Sequence, residues 1–500
     1  MLSKVFSATL FGPSSKQIII EVDSQRGLPA EHIVGLPDAV IRESKNRIKS
    51  AIKNSSFKYP LLSYTINLAP AEFPKEGPLL DLPIALAILL STSQLSLPKN
   101  VLAIGELSLD GTVKPVRGCV AICQMTKKMG FSGIIVPKDN ENEAALIEGI
   151  DIYPLKRLGD IHTLKRFTPK FTKIPSTTNA LPQDTFDDVK GQILAKRALE
   201  IAAAGKHNIL LIGPPGSGKT MLLKRLPSIL PDLDIDKAIE TFSLLSINSH
   251  ADCLSLTPPL RAPHHTTSYA GMIGGGRKPK PGEISLAHNG LLFLDELPEF
   301  QRSVLESLRQ PLEEHIITIS RAQFSVTFPA DIMLIATMNP CPCGYHKDGK
   351  RQCLCTSSQI QHYLKRLSGP ILDRIDMMVH VPRLKKSDLM STPASNPYTS
   401  NSMASKVLEA RKVQYARFGR KETNSRMSSK EMALYANIDN DSLQFLSDHV
   451  DKGLLTGRSY TKILKLSRTI ADLNTSEMIL LEHVLEAVQY RSALMTELVP

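Results

Sequence analysis

The chain has 500 residues, which is too many for a single hydrophobic core, so we expect two or three domains. Of these residues 42% are apolar, a fraction that excludes disorder of the whole chain. Sixty Lys and Arg against 49 Asp and Glu give a net charge of +11, which favours a polyanion such as nucleic acid but is also typical of ordinary solubility. No run of about 18 uninterrupted apolar residues and no signal-peptide pattern occurs, so we expect no membrane contact and a cytoplasmic location.

The chain divides by texture into five segments. Residues 1–165 alternate β-rich runs with helical stretches, which predicts a compact α+β domain. Residues 166–185 are rich in Pro, Thr and Lys and are predicted to be a linker. Residues 186–384 alternate apolar strands with helix-length segments, which indicates an α/β domain with a parallel sheet. A polar, flexible linker is expected over 385–404, and helices over 405–500.

The strongest functional signal is the octapeptide between an apolar strand and a helical stretch. It consists of Gly213, Pro214, Pro215, Gly216, Ser217, Gly218, Lys219 and Thr220. Glycines at this spacing let backbone N–H groups surround phosphates at a helix N-terminus. We expect Lys219 to reach the β and γ phosphates and Thr220 to offer its hydroxyl to Mg²⁺. The motif predicts an ATP site, and a turn that merely joins strand to helix is the alternative.

Two further strands end in polar residues that suit the same chemistry. The strand ending in Asp295 and Glu296 offers one carboxylate to Mg²⁺ or its water and one to polarise the attacking water. Asn339 ends the next apolar strand, where an amide could hold that water or sense the γ-phosphate, although Asn-Pro also opens turns. Arg374 follows a Gly-Pro break beside acids, as an arginine finger for a neighbouring subunit or a buried ion pair would.

These motifs in this order, with four longer stretches, resemble the magnesium-chelatase-like AAA+ ATPases of the ComM or YifB type. The stretches begin at Arg261 (RAPHHTTSYAG), Pro281 (PGEISLAHNG), Met338 (MNPCPCGY) and Gly457 (GRSYTKILKLSRTIADL). The resemblance covers nearly the whole chain. It implies an AAA+ phosphate-loop domain with a helical lid.

The same resemblance assigns roles to single residues. It makes Arg374 the arginine finger and Asn339 the sensor-1 residue. It makes Arg458 the sensor-2 arginine of the lid, although a basic helix face that includes Lys462 and Lys465 is also typical of plain solvent exposure.

The first domain is similar to the proteolytic domain of Lon-type proteases, on the stretches that begin at Asn67 (NLAPAEFPKEGP) and Gly105 (GELSLDG). Leu79 stands where that motif has its nucleophilic Ser, and the position of the catalytic Lys falls near Ile122. A Ser-Lys dyad needs a hydroxyl and an amine, so we expect a protease fold without protease activity.

Four of the seven cysteines, Cys341, Cys343, Cys353 and Cys355, crowd into fifteen positions. Four thiolates suit tetrahedral Zn²⁺, but the single-residue gap in each pair is tighter than usual, so a redox-sensitive or merely structural loop is the alternative. We expect this loop to lie near a subunit boundary and distant from the phosphate loop.

Two segments are candidates for a nucleic-acid track. Residues 317–328 alternate like a hairpin with Arg321 near its tip, and residues 274–280 form a flexible basic loop. In a ring ATPase of this family such insertions would face the channel and contact DNA phosphates without reading sequence, whereas solvated turns are the alternative. His264 and His265 are interpreted as structural.

The resemblance therefore predicts a homohexameric, Mg·ATP-driven motor on single-stranded or branched DNA that promotes branch migration in recombination or natural transformation. A chelatase-type motor that remodels a partner protein is the alternative. An ATP-dependent protease requires the missing dyad. A non-enzymatic scaffold is disfavoured because Lys219, Asp295, Glu296 and Arg374 are all present.

Overall fold

The computed structural model describes residues 2–73, 75, 77–167, 184–248, 254–276, 279–321, 324–384 and 397–497. Of the first predicted linker, 166–185, all but four residues lie outside these ranges. None of the described helices is both long and apolar enough to cross a membrane.

The first domain is built on a seven-stranded mixed sheet in the order β3-β4-β2-β1-β5-β8-β9, with β6 and β7 as a separate ribbon. Its strands are β1 (Leu2–Phe11), β2 (Ser14–Gln25), β3 (Ala30–Val34), β4 (Ser63–Ala69), β5 (Val101–Ala103), β6 (Glu106–Leu107), β7 (Val113–Lys114), β8 (Gly133–Pro137) and β9 (Asp151–Leu155). Its helices are α1 (Ala39–Asn54), α2 (Asp81–Ser91), α3 (Cys119–Lys128) and α4 (Glu141–Ala144). The α+β prediction for this part of the chain is confirmed.

Local sequence explains how the helices of this domain begin and what they bury. The Asp38 carboxylate accepts the N–H of Ile41 at the start of α1 and the N–H of Gly77 at 3.1 Å, so it caps the helix and anchors a loop. Helix α2 is apolar on all sides and almost wholly buried, because the sheet and α1 both pack on it.

The two positions that the resemblance assigns to a protease dyad belong to one apolar cluster. Leu79 is in the turn before α2, and it packs on the same apolar cluster that contains the fully buried Ile122 of α3. Apolar packing therefore occupies the place where the hydroxyl and amine would be needed.

The central domain has a five-stranded parallel sheet in the order β11-β14-β17-β10-β18. Its strands are β10 (Ile209–Ile212), β11 (Leu260–Arg261), β14 (Leu291–Leu294), β17 (Met333–Met338) and β18 (Met377–His380), with two hairpins, β12 (Gly274–Gly275) with β13 (Lys280–Pro281) and β15 (Ile316–Arg321) with β16 (Phe324–Pro329). Its helices are α5 (Ile193–Gly205), α6 (Lys219–Lys224), α7 (Ile235–Asn248), α8 (Tyr269–Ile273), α9 (Glu283–Leu286), α10 (Arg302–Ser307), α11 (Arg309–Glu314), α12 (Ser357–Leu364) and α13 (Gly369–Leu372). Strands β10 and β14 are buried at every residue, as expected for a sheet covered on both faces.

The last domain is helical and packs on α5. Its helices are α14 (Ser400–Phe418), α15 (Ser429–Tyr435), α16 (Asn440–Asp451), α17 (Gly457–Leu473) and α18 (Leu481–Glu497). Helix α14 begins at Ser400 behind the cap Thr399, so the described end of the second predicted linker, 397–404, is largely helical and packed. The reason is burial: Met403 is fully buried in the cluster shared by α5 and the lid. Residues 385–396 of that linker lie outside the described part.

The first and central domains share an apolar contact between α3 and α7. Phe242 and Leu254 of the central domain belong to the same buried cluster as Ile122, and Gly118 donates to the Ser246 carbonyl at 3.2 Å. Burial of this kind joins the two domains into one packed unit at this contact.

Candidate functional site

The phosphate loop follows β10 at the carboxyl edge of the core sheet, where its motif predicts it. Gly216 and Gly218 have φ angles of 75° and 91°, a left-handed backbone that glycine adopts without steric cost. Lys219 and Thr220 then begin α6. The loop therefore has the glycine-dependent path that lets successive N–H groups surround a phosphate.

Lys219 is held at the mouth of this loop by three oxygen acceptors. Its Nζ donates to the Gly213 and Pro214 carbonyls at 2.7 and 3.0 Å and to Asn339 Oδ1 at 3.2 Å. Burial lowers the pKa of Lys219 to about 8, although the carboxylates of Asp295 and Glu296 act in the opposite direction. The structure thus brings Lys219 and Asn339, predicted separately, into direct contact.

The acidic pair after β14 consists of a half-buried carboxylate, Asp295, and an exposed one, Glu296. Thr220 Oγ1 donates to Asp295 Oδ2 at 3.1 Å, so the two expected Mg²⁺ ligands already face each other. Glu296 is exposed and has a left-handed φ of 53°, which turns its side chain away from the strand direction.

Thr337 was not expected from sequence, yet it joins both acids. Its hydroxyl donates to Asp295 Oδ1 and accepts the N–H of Glu296 at 3.1 Å. Gln192 is a second unexpected contact, since its Nε2 donates to the carbonyls of Ser217 at 3.1 Å and Pro382 at 2.7 Å. Thr337 lies near the end of β17, two residues before Asn339, and its place beside two predicted site residues could have indicated it.

Arg374 and Arg458 lie at the opposite edge of the sheet from the phosphate loop. The Arg374 carbonyl accepts Asn208 Nδ2 at 3.1 Å, and Asn208 precedes β10 whereas the phosphate loop follows it. Arg458 Nη1 lies 3.4 Å from Asp373 Oδ2. Both arginines line a cavity of about 720 Å³ between core and lid. Neither reaches the phosphate loop of its own chain.

The four cysteines converge as a metal site requires. Cys341 Sγ lies 3.4 Å from Cys343 Sγ and 3.7 Å from Cys353 Sγ. With the sulfur of Cys355, these make four sulfur atoms that all lie within 4.8 Å of one another. Four thiolates about 2.3 Å from one Zn²⁺ would stand at this spacing. Burial raises the pKa of Cys343, but the N–H groups of Tyr345 and Leu354 outweigh it and lower that pKa to about 6. The donor set fits zinc.

The expectation that this loop lies far from the phosphate loop is wrong. A Cβ on Gly344 would come within 2.5 Å of Pro215 Cδ, so the two loops touch. The reason is topological: β17 and β10 are parallel neighbours, and both loops leave the same edge. Arg383 also ties the cysteine loop down, through Asp348 Oδ1 at 3.0 Å.

The predicted hairpin is confirmed, since β15 and β16 pair in antiparallel register from Ile316 and Pro329 to Arg321 and Phe324. A Cβ on Gly275 would lie 3.7 Å from Arg321 Nη2, so Gly275, in the predicted basic loop 274–280, lies beside the end of the β15–β16 hairpin. Arg277 and Lys278 of that loop lie outside the described residues. The two candidate DNA segments are therefore neighbours.

His264 and His265 lie in the loop after β11 with ring centroids 4.1 Å apart. The His264 Nδ1 is 2.9 Å from Thr266 Oγ1, an ordinary loop contact.

Comparison with known families accounts for most of the chain. Residues 185–389 match the family described as magnesium chelatase, subunit ChlI, residues 20–140 match subunit ChlI of Mg-chelatase, and residues 397–491 match its C-terminal family. Competence protein ComM of Haemophilus influenzae is 42% identical over 98% of this chain and 97% of its own. YifB of Escherichia coli is 40% identical over 98% of this chain and 97% of its own.

The magnesium-chelatase 67 kDa subunit of Chlorobaculum parvum is similar over a shorter stretch. It is 28% identical over 31% of this chain and 23% of its own. The likeness to ComM and YifB therefore extends through all three domains, whereas the likeness to this chelatase subunit does not.

We predict that the affinity for Mg·ATP weakens above pH 8, where the buried Lys219 loses its proton before nucleotide binds. Phosphate stabilises the ammonium form, so the pKa is higher in the filled site, and the dissociation constant should rise by about tenfold per pH unit towards pH 10. Equilibrium binding of a fluorescent ATP analogue measures it. Lys219→Arg keeps its charge over this range and should show no such slope; a parent affinity that stays flat would contradict the assignment.

We predict about one zinc per subunit in tag-free protein, measured by elemental analysis. Cys343→Ser should lose the metal and also weaken ATP binding, because the cysteine loop packs on Pro215. Cys119→Ser, which changes a buried cysteine of the first domain, is the matched control and should keep both. If the parent protein contains no metal and still binds ATP normally, the zinc hypothesis is wrong and the cysteine loop has a redox or structural role.

Proposed function

This chain belongs to the magnesium-chelatase-like family of ComM and YifB, and on that premise we propose that it is an Mg²⁺-dependent AAA+ ATPase that works as a homohexameric ring on DNA. The observation that carries the proposal is the convergence of Lys219, Thr220, Asp295 and Asn339 at one sheet edge. We place its work in the cytoplasm and propose branch migration in recombination or natural transformation.

The residues at the carboxyl edge divide the hydrolytic work. The phosphate loop and Lys219 would bind the phosphates, while Thr220 and Asp295 would hold Mg²⁺, which neutralises charge developing on the phosphoryl group. Glu296 would accept the proton of the attacking water, and Asn339 would orient that water. Thr337 would fix the positions of Asp295 and Glu296 relative to each other, because its hydroxyl forms a hydrogen bond with each of them.

The remaining charge would come from a neighbouring subunit. Arg374 stands at the amino edge, so it can serve only a nucleotide that another chain holds. Arg458 lies beside the same cavity, so we propose that the sensor-2 arginine also acts across the boundary. Because each catalytic site would take residues from two subunits, hydrolysis would depend on assembly of the ring.

We assign DNA contact to the β15–β16 hairpin and the adjoining basic loop, residues 274–280. The exposed Arg321 lies beside the backbone of Gly275, so the two segments together present a positive charge next to partly exposed backbone groups. Such a surface suits phosphates of single-stranded or branched DNA irrespective of sequence.

A chelatase-type motor that remodels a partner protein is the second candidate. The family matches to magnesium chelatase subunit ChlI favour it. The full-length likeness to competence protein ComM favours DNA, and ATPase stimulation by DNA rather than by a protein partner separates the two. We propose no protease activity, because Leu79 and Ile122 occupy the dyad positions.

We predict that mixing Arg374→Ala subunits with Lys219→Ala subunits restores part of the hydrolysis that each variant lacks. Each variant damages a different side of the boundary, so mixed rings contain some intact sites. The measurement is the ATPase rate against mixing ratio, with ring formation verified by light scattering. Mixed rings with no recovery would contradict action across the boundary.

We predict that Arg321→Ala weakens DNA binding about equally for unrelated sequences and reduces its salt dependence, because a phosphate contact is lost. Basal hydrolysis should survive while stimulation by single-stranded, duplex and four-way-junction DNA falls. Fluorescence anisotropy at several salt concentrations, paired with ATPase rates, separates the effects.

The matched control for this experiment is Arg26→Ala, which removes one exposed charge from the first domain. It should leave both DNA binding and stimulation unchanged. If the Arg321→Ala variant binds DNA as tightly as the parent, the hairpin assignment is wrong. If no DNA raises the ATPase rate of the parent, the proposed DNA motor is wrong.

A further inference from the structure

The guanidinium of Arg374 already has partners inside its own subunit. It forms an ion pair with the Glu313 carboxylate of α11 and donates to the Pro370 carbonyl. The Arg374 side chain is 13% exposed, whereas that of Glu313 is 53% exposed. The two acids nearest to Arg374 in sequence, Asp373 and Asp376, form ion pairs elsewhere, with Arg458 and Lys462. Glu313 is therefore the acid that holds this arginine in the isolated chain.

The backbone that carries Arg374 is fixed, so a change of partner needs only a side-chain swing. The Arg374 carbonyl accepts Asn208 at 3.1 Å, and its N–H donates to the Ile371 carbonyl at 2.9 Å. Two residues on, Asp376 accepts the backbone N–H of Asn208 at 3.1 Å. Once the ion pair with Glu313 is broken, only the hydrogen bond to the Pro370 carbonyl holds the guanidinium, and a side-chain swing can release it without moving the segment.

Glu313 is joined to the candidate DNA hairpin. Helix α11 ends at Glu314, and β15 begins two residues later at Ile316. Gln310 of α11 accepts the N–H of Thr318 at 3.2 Å, so the helix and the strand are also tied side to side. These two connections give a path by which a displacement of the hairpin would reach α11 and the Glu313 carboxylate.

We propose that Glu313 is a positioning residue that holds Arg374 back from the neighbouring nucleotide until DNA contact at the hairpin moves α11. The carboxylate and a γ-phosphate compete for one guanidinium, since each offers the paired oxygens that guanidinium binds best. While Glu313 holds the side chain, hydrolysis in the adjacent subunit lacks its arginine. This inference rests on the proposed DNA motor and on action of Arg374 across the boundary.

The test is Glu313→Gln, which keeps the shape and removes the charge. Without DNA, kcat should rise about two- to fivefold, the range expected for a half-exposed ion pair. KM for ATP should stay unchanged, because Lys219 and the phosphate loop lie at the other edge. The rate at saturating DNA should match the parent, so the ratio of stimulated to basal rate falls.

Two controls isolate the contact. Glu314→Gln makes the same change one residue away, where the carboxylate meets Gln310 instead, and should behave like the parent. In an Arg374→Ala background, Glu313→Gln should add nothing, since the group it releases is gone. An increase that persists without Arg374, or an equal increase in Glu314→Gln, would overturn the proposal.

An unchanged basal kcat in Glu313→Gln, with DNA stimulation intact, would also overturn it. Failure of the DNA motor gives a different result, because the parent itself would then show no stimulation by any DNA. The basal kcat of the variant still tests the hold on Arg374 in that case.

Discussion

All five strands of the core sheet run parallel, and this constraint divides the chemistry of the molecule between two edges. Every loop that follows a strand meets at the carboxyl edge, where the phosphate loop, Asp295 and Asn339 converge. Every segment that precedes a strand meets at the amino edge, which places Arg374 there. Under the proposed function, a complete catalytic set would need two such edges face to face, so the proposed assembly rests on the topology of the sheet rather than on any single residue.

The amino edge is held by buried charges that also dock the lid. Burial disfavours charge on Asp376, yet Lys462 at 2.7 Å and the neighbouring His207 hold the pKa of that carboxyl well below its usual range. Lys206 and Arg426 do the same for Asp331. Lys462 and Arg426 belong to the last domain, so their two contacts join it to the core, and loss of one partner would leave an uncompensated buried charge that costs about 3 kcal/mol or more. The lid, the hairpin base and the Arg374 segment are thus mechanically linked.

The cysteine loop adds a constraint at the carboxyl edge. It follows Asn339 directly, and its Gly344 packs on Pro215 of the phosphate loop. A metal held by the four thiolates would stiffen this contact and fix the amide of Asn339 beside Lys219. With metal bound, the rigidity of this side of the site would come from a short segment rather than from the main core.

Much of the molecule was determined by the sequence alone. Local patterns specified the phosphate loop, the polar strand ends at Asp295 and Asn339, the hairpin around Arg321 and the cysteine cluster, because motifs of this kind depend on neighbouring residues. The family followed from ordered motifs and was confirmed by full-length likeness. The tertiary structure alone decided which groups meet: Thr337 with both acids, Gly344 with Pro215, and Arg374 with Glu313, which lies 61 positions earlier in the chain. Such contacts depend on strand order and edge, which no local spacing encodes.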